Sequence, residues 1–266
     1  MNKENHGIVV AAKGLVIGAT MLVPGISGGS MAMVLGIYDR LIQAVSSFFK
    51  DKKGNLLFLV EFTAAALLGM FLLAKPLEML MGNCEKPMMY FFIGVVLGGC
   101  PIIFREAGVD SFCWKAVGYL VLGAVIVTSL RYLPENMLEM TSGGAAGFLT
   151  QIAGGVVISI ALILPGISVT YMLLVLGMYR RVLEAIGSLN LGYLFPLALG
   201  LLMGILLLTK SLEIAMKRFP QATYMMILGF VLGSVGQVLP GIPQGYEILT
   251  AFAALVLGFL LVYKIG

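Results

Sequence analysis

Apolar residues fall into ten long runs, at about 8–23, 31–49, 56–74, 88–104, 115–133, 145–164, 171–187, 192–209, 222–239 and 247–263, with charged and polar residues gathered between them. Runs of this length with no apolar/polar alternation predict helices, and a helix needs about 20 residues to cross the hydrocarbon of a bilayer. The ten-residue alternation of a membrane β-barrel is absent. The third to fifth and eighth to tenth runs are each about long enough to span. The first is short and ends at Pro24-Gly25. Length alone does not decide whether segments 8–49 and 145–187 re-enter or fully span.

The pattern occurs twice. Pro24-Gly25-Ile26-Ser27, then Gly28-Gly29-Ser30, leads into Leu35-Gly36-Ile37-Tyr38-Asp39-Arg40. Pro165-Gly166-Ile167-Ser168, then Val169-Thr170-Tyr171, leads into Leu176-Gly177-Met178-Tyr179-Arg180-Arg181. At an offset of 141, ten of the 17 positions from Pro24 to Arg40 are identical without a gap. Further on, Lys75-Pro76-Leu77-Glu78 matches Lys210-Ser211-Leu212-Glu213, and Gly94 with Val96-Leu97-Gly98 matches Gly229 with Val231-Leu232-Gly233, both at an offset of 135. The chain therefore reads as two units, 1–138 and 139–266, within one integral membrane domain. Each has a broken helical pair followed by three spans, and internal repeats of this kind mark transporter folds. The fold class expected is an all-α polytopic membrane protein.

Composition agrees: of 266 residues 60% are apolar and 11% charged, against about 25% charged in soluble domains. A broken pair adds no net crossing and three spans follow it, so the second unit is expected upside down relative to the first. With a cytoplasmic N-terminus, twelve basic residues fall inside and five outside, as the positive-inside rule requires. Both chain ends are then cytoplasmic.

The breaks carry the candidate chemistry. Pro24 and Pro165 lack an N–H, while Gly25 and Gly166 adopt angles other residues resist. Ser27, Gly28, Gly29 and Ser30 open the next helix, where free N–H groups and the helix dipole favour anions, phosphates above all. Ser168 and Thr170 are the matching groups in the second copy. Such breaks persist in a bilayer only inside protein or beside a polar cavity.

Charged residues add to this. Arg40 and Arg181 hold matching places and offer forked donors suited to phosphate; anchoring at the interface beside Tyr38 and Tyr179 is the simpler reading. Lys13, three helical turns before Pro24, either lines a cavity or snorkels to the surface. Glu61 stands among apolar residues. It could carry a proton, pair with Lys13 or Arg40, or lie at the interface. The glycines Gly14, Gly18, Gly36, Gly69, Gly94 and Gly98 read mostly as helix-packing positions.

With one histidine, His6, and three scattered cysteines, the chain offers no metal set. It offers no nucleotide motif and no nucleophile with an acid/base partner either, so no cofactor, no nucleic acid and no catalysis are expected. Transport is the expected activity, and the sequence leaves the oligomeric state open.

The Val-Pro-Gly-Ile-Ser-Gly-Gly-Ser stretch at 23–30, Leu-Pro-Gly-Ile-Ser at 164–168, and the Gly-Ile-Tyr-Asp-Arg-Leu and Gly-Met-Tyr-Arg-Arg-Val segments resemble the PopT-type polyprenyl-phosphate transporters. The resemblance covers nearly the whole chain. It implies a bacterial or archaeal cytoplasmic-membrane protein with inverted repeats and re-entrant helices. Its implied activity is to return undecaprenyl phosphate, the carrier lipid of wall polymers, from the outer to the cytoplasmic leaflet. The second copy replaces Gly28-Gly29-Ser30 with Val169-Thr170-Tyr171, which makes the first copy the better phosphate cradle. The alternative class is a transporter or channel for a small soluble anion, distinguished by the lack of a side opening for an isoprenoid tail.

Overall fold

A computed structural model describes residues 3–23, 26–109, 113–130, 132–134, 144–245 and 247–264. Pro24 and Gly25 lie outside the described residues, as does the junction of the two sequence units at 138/139. The described residues are helical: α1 (Lys3–Thr20), α2 (Gly28–Val34), α3 (Tyr38–Ser46), α4 (Lys52–Glu106), α5 (Trp114–Leu130), α6 (Gly144–Ile163), α7 (Val169–Val175), α8 (Tyr179–Gly187), α9 (Leu191–Arg218), α10 (Pro220–Val238) and α11 (Glu247–Tyr263). Two helices, α4 and α9, are long and apolar enough to cross a membrane. Their apolar side chains face outward: Leu67, Leu68, Phe71 and Leu72 on α4, and Leu202, Met203, Leu206 and Leu207 on α9, are exposed. A soluble core helix would bury them, whereas a lipid-facing helix presents them to acyl chains.

The apolar run at 31–49 is not one helix. It divides into α2 and α3 at Gly36, whose φ is +62°. Ile37 N–H donates to Ala32 O and Gly36 N–H to Met33 O, which is the paired closure of a helix ending on a left-handed glycine. The second copy repeats it: Gly177 has φ +67°, Met178 N–H donates to Leu173 O and Gly177 N–H to Leu174 O. Gly36 is therefore a helix stop and not a packing position; a Cβ there would meet nothing within 4 Å. With seven residues each, α2 and α7 extend about 10 Å and cannot cross a bilayer.

The predicted spans at 56–74 and 88–104 are joined in one 55-residue helix, α4, whose helical geometry breaks at Cys84 (φ −140°, ψ 47°). A straight helix would place residues 55 and 99 about 66 Å apart. Yet Arg40 bonds Asn55, and a Cβ on Gly99 would lie 2.6 Å from Val34. The six residues from Val34 to Arg40 reach at most about 21 Å, so α4 folds back at Cys84. Phe219, 135 positions later, has nearly the same angles (φ −134°, ψ 56°) between α9 and α10.

Close glycine contacts fix the helix directions. Gly14 and Gly18 sit on the backbone of Phe62 and Ala66, and Gly69 on Leu15, so α1 runs parallel to the first arm of α4. Gly200 sits on Ile152 and Gly204 on Val156 and Ser159, so α6 runs parallel to α9. Gly94 meets Leu255 and Gly98 meets Phe259, which makes α11 parallel to the second arm of α4; Gly229 meets Leu120 and Gly233 meets Ala124, which makes α5 parallel to α10. Small residues let these backbones approach, the usual device where lipid leaves no hydrophobic force between helices. Since α1 and the helix after its broken pair run the same way, the chain between them returns to the side from which it entered.

The helix ends are tied across these pairings. Ser47 donates to both Glu213 carboxylate oxygens, at 3.2 and 3.4 Å, and Ser46 to one of them at 2.7 Å. Lys210 and Lys217 pair with the same carboxylate at 3.1 and 2.5 Å. At another point Lys86 pairs with Glu247 at 2.6 Å.

Candidate functional site

The two breaks meet. Ser27 is the N-cap of α2: its Oγ accepts from Ser30 N–H at 3.0 Å and lies 2.9 Å from Ser30 Oγ. The same Oγ accepts from Gly166 N–H, in the second break, at 3.1 Å. A Cβ on Gly29 would lie 3.4 Å from Ile163 O and from Pro165 Cα, so the first loop presses backbone to backbone against the second. Tyr38 Oη donates to Ile163 O at 2.7 Å, satisfying a carbonyl at the end of α6.

Gly166 has φ +83°, and a Cβ there would lie 2.4 Å from Phe230 O. Only glycine fits both the angle and the space. Ser168 caps α7, accepting from Tyr171 N–H at 3.3 Å. Tyr171 Oη in turn donates to Leu133 O at 2.7 Å, which ties the second break to the segment after α5.

Beside the meeting point lies a cavity of about 10 Å³, lined by Ile26, Ser27, Ser30, Phe92, Ile93, Val96, Ser234, Val235 and Val238. That is about one water's worth of space, so a phosphate enters only if the breaks separate. Its polar wall is three hydroxyls. Ser234, which donates to Val231 O at 2.7 Å, was not among the residues expected from the sequence. The signal for it was one position past the repeat match: Gly98-Gly99 is followed in the second copy by Gly233-Ser234. A larger open groove, about 620 Å³, runs between the second arm of α4 and α10, lined by Leu97, Cys100, Pro101, Phe104, Arg105, Gly108, Val109 and Leu228. It is apolar along most of its length, with the Arg105 guanidinium in its wall.

The remaining expected site residues stand apart from the cavity lining. Arg40 donates to Asn55 Oδ1 at 2.8 Å and lies 4.7 Å over the Phe58 ring. Arg181 is exposed on α8, and Lys13 is half-buried on α1. Thr170 opens α7 beside Ser168. Glu61 packs against Gly7 near the start of α1, where a Cβ would lie 2.9 Å from its Oε1. Among the described residues no ion pair joins Glu61 to Lys13 or Arg40. Asp39, between Tyr38 and Arg40, accepts a short hydrogen bond from Tyr224 on α10. All three side chains of the Tyr38-Asp39-Arg40 run therefore hold α3 in place.

An all-helical chain with lipid-facing spans, whose two Pro-Gly breaks meet beside buried hydroxyls, defines a membrane protein of the transporter class. The undecaprenyl phosphate translocase-like family matches residues 17–254, and the chain belongs to it. It is 28% identical over 242 residues to a polyprenyl-phosphate transporter of Vibrio cholerae, covering 86% of this chain and 76% of that protein. It is 28% identical over 266 residues to a polyprenyl-phosphate transporter of Staphylococcus aureus, covering 96% of this chain and 94% of that protein. No solved structure matches the chain.

Proposed function

We propose that this chain carries polyprenyl phosphate, with undecaprenyl phosphate as the substrate, from the outer to the cytoplasmic leaflet of a bacterial or archaeal cytoplasmic membrane. The phosphate would bind between the two breaks. The observation that carries this reading is the Ser27–Gly166 hydrogen bond. Ser27 Oγ occupies the place of an acceptor facing Ser30 N–H and Gly166 N–H. A phosphate oxygen is charged and a stronger acceptor, so it would take over those donors as the breaks part, with the Ser27, Ser30 and Ser234 hydroxyls and then Ser168 and Thr170 around it. The isoprenoid tail stays in lipid throughout. The open apolar groove along α4 favours a lipid over a soluble anion, because a soluble anion needs no side exit.

In this reading residues 1–138 and 139–266 are inverted repeats, each with a re-entrant pair. The parallel runs of α1 with α4 and of α6 with α9 support the re-entry. The ties Ser46–Glu213 and Lys86–Glu247 support the inversion, because each joins residues that the charge bias puts on one side. Arg40 and Arg181 stand where a headgroup enters or leaves. Glu61 would couple a proton from the end of α1, without touching phosphate.

The test uses purified protein in vesicles with a fluorescent polyprenyl phosphate whose leaflet is read by a membrane-impermeant quencher. Ser27→Pro removes the cap and the link between breaks; the reading expects transport to vanish while the protein remains folded in the membrane. Ser27→Ala, which keeps the backbone, should slow transport at least tenfold. Wild-type rates in both variants would overturn it.

A further inference from the structure

Arg40 and Arg181 stand at matching positions, 141 apart, yet their surroundings differ. Arg40 is saturated by Asn55 and Phe58. The glycine contacts place α4 and α9 in register at an offset of 135: Gly69 sits on Leu15, and Gly204 on Val156. In that register the partners of Arg181 are Asn190 and Tyr193. Asn190 is occupied as the N-cap of α9, accepting from Tyr193 N–H at 3.2 Å. Tyr193 Oη is buried with no hydrogen-bond partner, alone in this among the described residues, and Arg181 is the charge that acts on it. Among the described residues no ion pair joins Arg181 to Glu184, one turn further along α8. A buried, unpaired hydroxyl costs free energy unless something accepts from it.

This pair lies on the membrane face opposite Arg40. Asn55 bonds Ser47, and Ser47 bonds Glu213; Tyr193 is 20 residues before Glu213 on the same helix, about 30 Å away. That distance is the thickness of the hydrocarbon.

We infer that Arg181 and Tyr193 form a second phosphate site, at which one phosphomonoester head accepts from both the guanidinium and the phenol. It rests on the reading of the chain as a phosphate-lipid transporter, and makes this face the loading side. A guanidinium and a hydroxyl are donors only, so the complementary ligand is an anion with several acceptor oxygens. The first unit has no such site, because Phe58 lacks the hydroxyl and Asn55 already holds its arginine.

The test measures binding of geranyl phosphate, with inorganic phosphate and geraniol as separate arms, to purified full-length protein in detergent by calorimetry and native mass spectrometry. Wild type is expected to bind two geranyl phosphates. Tyr193→Phe, which deletes one oxygen and keeps the ring packing, should weaken one of them about tenfold, and Arg181→Gln should do the same or more. Ser27→Pro should remove the other and leave the Arg181-dependent one. One bound ligand that neither Tyr193→Phe nor Arg181→Gln weakens overturns this site while leaving the central reading intact. No binding by wild type overturns both. Inorganic phosphate binding here as tightly as geranyl phosphate overturns the lipid-loading role, as does geraniol binding equal to both.

Discussion

The two Pro-Gly breaks began as near copies and have been given different work. In the first, Ser27-Gly28-Gly29-Ser30 is short-chained, and Ser27 reaches across to accept from the second copy. In the second, Gly166 donates that bond, but its neighbours are larger, and Tyr171 anchors the loop to Leu133. One copy holds the oxygen that a phosphate would replace; the other is a fixed wall that supplies a donor. A symmetric sequence motif thus yields an asymmetric site, because the side chains two to four positions past the shared serine decide which loop can move close.

The sharpest way to break this comparison is at Gly166. Gly166→Ala puts a Cβ 2.4 Å from Phe230 O at φ +83°; backbone strain alone costs about 1–3 kcal/mol, and the clash adds to it. A large fall in the thermal unfolding midpoint, with loss of transport, is expected. Gly29→Ala is the counterpart in the first copy. Its Cβ would meet its neighbours at 3.4 Å, an ordinary contact, so the fold should survive within about 1 kcal/mol while transport falls several-fold because the cradle narrows. Equal stability losses in the two variants would erase the claimed difference.

Paired serine changes sharpen it further. Ser27→Ala and Ser168→Ala each remove an N-cap, worth about 1 kcal/mol, so thermal shifts should be alike. Transport should suffer more in Ser27→Ala, since only Ser27 bonds the opposite break. Tyr171→Phe, measured in the same way, should cost about 1 kcal/mol and leave the rate within about twofold. The smallest change expected in rate at neutral pH is Glu61→Gln, which should flatten the pH dependence of transport; an unchanged pH profile removes the proton role.

How much of this was legible in the sequence follows from the scale of each feature. The helical spans and the repeat were legible because lipid forces long apolar runs and the 141-residue offset preserves Pro-Gly-Ile-Ser. Gly36 was read as a packing glycine, because sequence does not show whether a glycine sits against a neighbour or closes a helix on a positive φ. The hairpin at Cys84 was placed correctly as a gap between spans, but its helical continuity was invisible, since Glu85-Lys86-Pro87 reads as a loop. The meeting of Ser27 with Gly166 spans 139 positions, and no local pattern reports a contact of that kind. Arg40 and Arg181 looked equivalent because they occupy one motif position; their partners, Asn55 with Phe58 and Asn190 with Tyr193, lie beyond a length difference in the intervening loop.

The most direct test is an experimental structure with a polyprenyl phosphate bound. The account predicts phosphate density within hydrogen-bond reach of Ser27, Ser30 and the Gly166 N–H, with the Ser27–Gly166 bond opened. A head resolved only elsewhere, with the Ser27–Gly166 bond intact, would contradict it.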